Sequence, residues 1–385
     1  MIMKIAVIGV YYASNLGDAV ICDCVASWLR ERWPSAEIDI IDIENKKGFE
    51  KQKETSLGRL RYCNLKLQWD YWQTKHHIRD CIYYWNKVDV EGRQGFYEEV
   101  AGRKYDAAVF AGGQLFMDWL SLDITGFLKC FDKIGTPVYF NACGVGISVS
   151  SKIRKELSGC LLKDHVKMIS TRDDQKQIED MYVNHRKQVM KTYDPALWTR
   201  EVYQVTSVLS SKTVGLGVMY SNHAPLKKIT GFWCRLIKEL DSRGIQWKMF
   251  CNGAINDYSY AAYILKKIGR SKEEHLCECA QEPTELIRQI TSFSSLISFR
   301  LHSHIIATSY GIPGVAVVWD EKLRFYYRNL GHEERCKTIY DRAESVLEVW
   351  ENAVNEGYNI DLIQNQKIYS RQLLLDALDR EDRVE

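Results

Sequence analysis

Short apolar runs alternate with stretches of helical periodicity along the first half of the chain. The runs are rich in Ile and Val, which is typical of parallel strands that are buried on both faces. They occupy residues 4–10, 37–43, 106–111, 137–141, 166–171 and 188–192. After the first run, residues 19–32 place Val20, Cys24, Trp28 and Leu29 on one stripe of a helix. This alternation predicts a parallel, doubly wound sheet.

The pattern restarts after a connector at residues 196–212. Strands are predicted at residues 213–219, 246–251, 295–299 and 314–319, and helices at residues 227–243, 257–268, 302–310, 343–353 and 361–378. We therefore expect an α/β protein with two tandem doubly wound Rossmann-like domains, residues 1–200 and 201–385, and an interdomain cleft. The arrangement is GT-B-like, after a large class of glycosyltransferases, but a likeness of fold does not determine function.

One segment of the first half does not follow the alternation. Residues 44–95 are rich in charged and aromatic side chains, including Trp69, Trp72 and Trp85, and they show no clean period. We interpret them as helices and loops near the edge of the domain.

Composition sets limits on the function. The 385 residues are enough for two domains of ordinary size. The 52 Lys and Arg residues nearly balance the 50 Asp and Glu residues, and the net charge of +2 comes without a long basic run. Nucleic acid is therefore not expected as a partner. No run of about 18 apolar residues is present, so no membrane span is predicted.

Twelve cysteines are scattered along the chain. The N-terminal residues 1–10 resemble a buried strand and not a signal peptide, so we expect reduced, mostly structural thiols and a cytoplasmic protein. Cys277 and Cys279 lie near His275, but zinc usually takes four ligands, often from two such pairs, and the second pair is missing. No metal site is predicted.

Ligands of open parallel sheets bind at the carboxyl ends of the strands, which makes the following loops the candidate site. The first loop contains Asn15, Gly17 and Asp18. A glycine there allows close backbone approach, and the helix N-terminus that follows attracts an anion. The alternative is an ordinary turn in which Asp18 caps the helix.

Two further loops carry candidate chemistry. Gly112 and Gly113, followed by Gln114, either turn their backbone amides toward a ligand or form a tight turn. Arg172 and Asp173 follow the fifth strand, where the arginine fork suits a phosphate or a carboxylate. The alternative for Arg172 is a surface ion pair with an adjacent aspartate.

The loop after residues 295–299 joins a buried strand to an apolar helix and contains Arg300, Leu301 and His302. Arg300 can hold an anion, and His302 titrates near neutral pH and can move a proton. His304 would face away from His302 on a helix, so a two-histidine metal site is not expected. The alternative is a helix-capping histidine with a structural arginine.

Together these loops resemble the polysaccharide pyruvyl transferase family. The likeness rests on motifs spaced over most of the chain: Asn15-Leu16-Gly17-Asp18, Gly112-Gly113-Gln114, Arg172-Asp173, Asp194-Pro195-Ala196, and Arg300-Leu301-His302 followed by Ile305, Ala307, Gly311, Pro313 and Lys322. Gln114 stands where the family has a third glycine, and Trp319 stands where it usually has a tyrosine. Residues 44–95 match no motif of the family, and acceptor choice is expected to depend on them.

The resemblance implies transfer of pyruvate from phosphoenolpyruvate onto two hydroxyls of a sugar in a capsule or exopolysaccharide precursor. This reaction forms a cyclic ketal and releases phosphate. Arg172, Arg300 and Leu301 match donor-binding positions, and His302 is the candidate acid that protonates the methylene carbon. Lys322 either adds charge to this pocket or pairs with Glu321 on the surface. Phosphoenolpyruvate is a co-substrate in this scheme, and no cofactor or metal is needed.

Two other functions stay open at the level of the sequence. A GT-B-type glycosyltransferase would use the same cations to hold a nucleotide sugar, and a non-catalytic binding protein could keep the fold without the chemistry. Aromatic residues make up 12% of the chain. They commonly fill cores, but they also stack on sugars and suit a membrane surface. A lipid-linked acceptor at the inner membrane face, with peripheral membrane contact, is therefore a further hypothesis.

Overall fold

A computed structural model of the protein describes residues 2–50, 56–207, 211–220 and 225–380. The strands of its first half are β1 (Lys4–Gly9), β2 (Glu37–Asp42), β3 (Ala107–Phe110), β4 (Gly113–Phe116), β5 (Val138–Phe140), β6 (Cys143–Val145), β7 (Val166–Thr171) and β8 (Met190–Lys191). The helices of this half are α1 (Gly17–Arg32), α2 (Leu57–Lys75), α3 (Cys81–Gly92), α4 (Gln94–Gly102), α5 (Asp118–Ile134), α6 (Ser151–Leu161), α7 (Gln175–Ile178) and α8 (Thr199–Tyr203).

Six of these strands form one parallel sheet in the order β2-β1-β3-β5-β7-β8. In the interior of the sheet, Ile5 of β1 lies beside Ile38 on one side and Ala107 on the other. Both faces of β1 are covered by helices, which explains why its strand needs apolar residues at consecutive positions. The short strands β4 and β6 pair separately, next to the carboxyl ends of β3 and β5.

The second half forms a five-stranded parallel sheet in the order β10-β9-β11-β12-β13. Its strands are β9 (Val214–Gly217), β10 (Trp247–Phe250), β11 (Ser295–Ser298), β12 (Gly314–Val317) and β13 (Cys336–Lys337). Its helices are α9 (Leu226–Ser242), α10 (Ile255–Lys267), α11 (Lys272–His275), α12 (Pro283–Thr291), α13 (Leu301–Ser309), α14 (Glu321–Asn329), α15 (Ala343–Glu356) and α16 (Ile360–Asp379).

One apolar cluster spans both halves of the molecule. It joins Val20 of α1 to Ile305 of α13 and Leu374 of α16. The last helix also reaches the first half through an ion pair between Arg32 and Asp379, with 2.9 Å between nitrogen and oxygen. The chain therefore returns to its first half at its C-terminal helix, and this contact holds the two sheets on either side of a cleft.

Most predicted elements are present with shifted ends, and the differences lie in weakly patterned segments. At residues 188–192 only Met190–Lys191 pairs as a strand. The strands β4, β6 and β13 were not predicted, because two to four residues are too few to show a period. The connector at residues 196–212 contains α8, after a 3₁₀ turn over Pro195–Trp198. Residues 208–210 of that connector lie outside the described residues.

Residues 44–95 are more regular than their sequence indicated. They contain α2, α3 and the start of α4, while residues 51–55 lie outside the described residues. In the part of the chain that the structure describes, we find no helix with both the length and the apolar character needed to cross a bilayer.

Candidate functional site

The cleft between the two sheets collects most of the residues that the sequence singled out. Of these residues, Asn15, Asp18, Gln114, Arg172, Arg300, Leu301, His302 and Lys322 line it. They come from the carboxyl ends of both sheets, where parallel strands place their following loops. The three glycines Gly17, Gly112 and Gly113 lie behind this lining.

The glycines make room for neighbouring side chains. A Cβ on Gly17 would lie 2.2 Å from Nδ1 of His302, so this position must lack a side chain for the imidazole to fit. Gly112 and Gly113 both have positive φ, 132° and 90°, which favours glycine. A Cβ on Gly113 would lie 3.3 Å from Oδ1 of Asp18. The lack of side chains at Gly17 and Gly113 therefore leaves room for His302 and Asp18 in the cleft wall.

Asp18 does not cap its helix, so that alternative was wrong. Helix α1 begins at Gly17 and its capping residue is Leu16, without a side-chain bond. The Asp18 carboxylate instead accepts a hydrogen bond from Nδ2 of Asn15 at 2.9 Å and faces the cleft. Burial raises the pKa of Asp18 to about 6 and outweighs the opposing attraction of Arg172.

Arg172 is buried at the end of β7, so it is not the surface arginine of the alternative interpretation. Its guanidinium pairs with Oδ2 of Asp194, and the other oxygen of Asp194 accepts from the backbone N–H of Ala196 at 2.9 Å. Asp194 therefore fixes the arginine while it caps the 3₁₀ turn. Nε of Arg172 is buried and has no hydrogen-bond partner among the described residues, and Oδ1 of Asp173 lies 3.9 Å from it.

Arg300 enters the cleft from the second half, directly before α13. Its Nε donates to Oδ2 of Asp257 at 2.9 Å, and its Nη2 donates to the same oxygen. Burial raises the pKa of Asp257, although Arg300 opposes this shift. Sequence reasoning missed Asp257, because nothing in the first turn of α10 indicates that its carboxylate meets a residue after β11.

His302 lies between the two arginine-bearing loops. Nη1 of Arg172 is 3.1 Å from its Nε2. A guanidinium can only donate, so Nε2 accepts and the neutral ring carries its proton on Nδ1. Nδ2 of Asn15 lies 3.5 Å from Nδ1, but both groups are then donors and form no hydrogen bond with each other. Burial lowers the pKa of His302 well below its ordinary value, and Arg172, Lys322 and Arg300 lower it further. These shifts favour the neutral imidazole near neutral pH.

His304 faces the other way, as its position on the helix predicted. Its Nε2 lies 2.9 Å from the carbonyl oxygen of Ser298, and the Tyr327 hydroxyl lies 2.9 Å from its Nδ1. Burial lowers the pKa of His304 to about 4. Its two ring nitrogens are thus engaged within the second half, away from the cleft.

Lys322 joins the two walls of the cleft. Its Nζ donates to Oε1 of Gln114 at 2.8 Å and lies 3.4 Å from a carboxylate oxygen of Asp320. The ammonium also sits over the Trp319 ring, 4.5 Å from the centroid. Of the two alternatives for Lys322, the structure supports the pocket and not a surface pair with Glu321.

A second groove continues from the cleft along the first half. It has a volume of about 490 Å³ and shares Glu44 and Trp119 with the cleft. Trp85 and Arg93 lie on its walls. Both tryptophan rings are partly exposed, at 40% for Trp85 and 41% for Trp119. Part of residues 44–95 therefore borders the site, although no motif in the sequence indicated it.

Metal ligands are not concentrated in the cleft. Among the described residues, the one group of three potential ligand atoms within 4.8 Å of one another is His332, Glu334 and Glu356. Arg335 donates to Glu356 at 2.8 Å within this group, so a cation already neutralises it. The cleft itself offers guanidinium, ammonium and imidazole groups, which suit an anionic ligand.

Solved structures resemble the whole chain in fold. The UDP-GlcNAc 2-epimerase from Neisseria meningitidis, solved bound to UDP-GlcNAc, is 10% identical, with a TM-score of 0.59 over 98% of this chain and 100% of that chain. The trehalose-6-phosphate synthase OtsA is 12% identical, with a TM-score of 0.60 over 98% and 99%. A putative UDP-N-acetylglucosamine 2-epimerase from Listeria monocytogenes is 9% identical, with a TM-score of 0.57 over 100% and 98%.

These likenesses concern the fold alone. With the two parallel sheets and the cleft between them, they identify the GT-B fold that the sequence predicted. No protein with a curated description matches the sequence. The sequence model of one family, described as polysaccharide pyruvyl transferase, matches residues 15–321.

Proposed function

Since the chain belongs to the polysaccharide pyruvyl transferase family, we propose that it transfers pyruvate from phosphoenolpyruvate to a saccharide. In this proposal two hydroxyls of one sugar receive the pyruvate as a cyclic ketal, and inorganic phosphate is released. The sugar belongs to a capsule or exopolysaccharide precursor. The first half of the chain would serve the acceptor, and the second half would serve the donor.

One observation carries the proposal of the donor. Arg172, Arg300 and Lys322 converge on one cleft from both halves of the chain. Asp194 and Asp257 hold the two guanidinium groups from behind, which orients their forks before a ligand arrives. Phosphoenolpyruvate carries a phosphate and a carboxylate, and forked donors bind both groups well. Leu301 and Trp319 are among the apolar residues of the lining.

The chemistry requires two hydroxyl additions at C2 of phosphoenolpyruvate. The first hydroxyl forms a C–O bond at C2 while His302, once protonated, gives a proton to the methylene carbon, which becomes a methyl group. The C–O bond to phosphate then breaks, and its electron pair leaves with the phosphate. The second hydroxyl adds to the resulting oxocarbenium ion. The proton of one hydroxyl returns His302 to its protonated form, and the proton of the other leaves with phosphate.

His302 must gain a proton for this role, and the anionic donor supplies a reason. The positive charges of Arg172, Lys322 and Arg300 contribute to the low pKa of the His302 imidazole. Bound phosphoenolpyruvate would offset these charges and raise the pKa of the imidazole. We expect His302→Ala to lose most turnover while it still binds phosphoenolpyruvate. Turnover near that of the wild type would exclude His302 as the acid.

The acceptor proposal rests on the groove beside the cleft. Trp85 and Trp119 offer flat apolar rings, and Glu44, Asp89 and Arg93 offer hydrogen-bonding groups around them. This combination suits a sugar, with rings stacked on the indoles and hydroxyls bound at the rim. A cytoplasmic location belongs to the same proposal, because the described cysteines form no disulfides. A lipid-linked acceptor is a further part of the proposal.

A nucleotide-sugar glycosyltransferase of the same fold is the competing function, and the donor distinguishes it. We would follow thermal unfolding with phosphoenolpyruvate or with nucleotide sugars, for wild type, Arg300→Ala and the surface variant Arg328→Ala. A ligand at a hundred times its Kd adds about 2.7 kcal/mol to the free energy of unfolding. Stabilisation by phosphoenolpyruvate that only Arg300→Ala loses supports the proposal. Stabilisation by a nucleotide sugar instead would overturn it.

A further inference from the structure

Helix α2 presents a row of large apolar side chains to solvent. Tyr62, Leu65, Trp69 and Trp72 follow one another at steps of three and four residues, which places them on one face of the helix. The exposed fraction is 70% for Tyr62, 57% for Trp69 and 46% for Trp72. Side chains of this size are mostly buried in soluble proteins, so such a row marks a contact surface.

The two tryptophans form an ordered platform on this face. Their rings stack with centroids 5.2 Å apart and 15° between the planes. The His76 ring continues the row, 4.7 Å from Trp72. The indoles therefore stay at the surface and do not fold back onto the protein, which keeps their apolar faces available to a partner.

Cations border the aromatic row. Arg59, Arg61, Lys66 and Lys75 are exposed on α2. None of these four side chains forms an ion pair with another described residue; the Lys66 ammonium sits over the Trp85 ring at 5.5 Å. The acidic residue of α2, Asp70, is buried. This face therefore combines apolar rings with cations that form no ion pair among the described residues.

The position of α2 connects this face to the proposed acceptor groove. Tyr71, on the same helix, contacts Trp119 with ring centroids 6.5 Å apart. Trp119 lines both the cleft and the groove, and Trp85 under Lys66 lines the groove. Helix α2 therefore carries the aromatic row on one face and contacts the walls of the groove through Tyr71 and Lys66.

We propose that this face of α2, with Tyr62, Leu65, Trp69, Trp72 and their flanking cations, docks onto the anionic surface of a lipid membrane. Aromatic rings insert at the boundary between headgroups and acyl chains, and Lys and Arg bind anionic headgroups around them. The complementarity of charge selects a membrane over a neutral apolar partner. Docking itself does not depend on the pyruvyl transfer chemistry, so the two proposals can fail separately.

The test is flotation of the full-length protein with lipid vesicles at low salt. Wild type is expected to float with vesicles that contain phosphatidylglycerol and to remain behind with pure phosphatidylcholine. Trp69→Ala/Trp72→Ala and Arg61→Glu/Lys75→Glu should each lower binding roughly tenfold or more. The matched controls Tyr340→Ala and Lys227→Glu/Lys238→Glu change exposed residues of the second half and should float like wild type.

Equal flotation of the α2 variants and wild type, or no flotation of wild type, would overturn the proposal. A second copy of the chain is the other possible occupant, and light scattering after gel filtration detects it. If wild type is a dimer and Trp69→Ala/Trp72→Ala a monomer, the face is an interface between copies. Circular dichroism and thermal unfolding of the same variants show that they are folded.

Discussion

The imidazole of His302 packs directly against the backbone of Gly17, although the two residues belong to opposite sides of the cleft. A Cβ on Gly17 would lie 2.2 Å from Nδ1 and 2.3 Å from Cγ of the histidine. The ring has little room to retreat, because it is buried and its Nε2 lies 3.1 Å from Arg172. The position of the proposed acid is therefore set from the first half of the chain.

We expect Gly17→Ala to displace the His302 ring and to lower kcat by roughly 100-fold, the cost of a small misplacement of a catalytic group. The first turn of α1 tolerates alanine, so circular dichroism should show an intact fold. Gly159→Ala is the matched control, because it also lies in a helix and its Cβ would meet no atom within 4 Å. Unchanged kcat in Gly17→Ala would contradict this account of the contact.

Arg300→Lys should weaken phosphoenolpyruvate binding at least about tenfold, since lysine keeps the charge but not the fork that bonds Asp257 and the ligand. Isothermal titration would measure the Kd. Arg328→Lys is the control, because Arg328 makes an equivalent forked pair with Glu333 on the surface. A similar loss in both variants would mean that the effect is structural and not one of the cleft.

Asp18 is expected to destabilise the folded protein above pH 6. Its folded pKa of about 6 exceeds the unfolded value near 4, so the contribution of Asp18 to the free energy of unfolding falls as the pH rises between these values. Asp18→Asn removes this effect. In urea unfolding, the free energy of unfolding of Asp18→Asn should exceed that of wild type only slightly at pH 4 and by on the order of 3 kcal/mol at pH 7.5.

Exposed Asp89→Asn controls for the loss of one negative charge at the protein surface. A gain for Asp18→Asn that is equal at both pH values would contradict the raised pKa of the Asp18 carboxyl. The activity of Asp18→Asn should fall although its stability rises, because Asp18 faces the cleft and accepts a hydrogen bond from Asn15.

Trp85→Ala should raise the KM for a saccharide acceptor several-fold and leave stabilisation by phosphoenolpyruvate unchanged. The reason is that the Trp85 ring borders the groove that we assign to the sugar and lies outside the lining of the donor cleft. Steady-state kinetics at saturating phosphoenolpyruvate would measure the change, with Tyr340→Ala as the control for loss of an exposed ring. If the variant binds phosphoenolpyruvate more weakly but keeps the wild-type KM for the acceptor, the assignment of the two subsites is reversed.

The local pattern was enough to place the strands and the loops that follow them. Consecutive apolar residues mark strands covered on both faces, and parallel strands end at one edge of their sheet. Arg172, Arg300 and His302 could therefore be assigned to one cleft from the sequence alone, and the structure places all three in its lining. Short strands such as β4 and β13 were not predicted, because a run of two to four residues is too short to show a periodic pattern.

The tertiary structure alone decided which side chains from distant parts of the chain meet at the cleft. Asp257 behind Arg300, Gln114 against Lys322 and Gly17 under His302 are each contacts between residues far apart in the chain. Periodicity reports only which face of an element is buried, and it says nothing about which side chain of another element will meet that face. The shifted pKa values of Asp18 and His302 likewise arise from burial and from charges that the fold brings together.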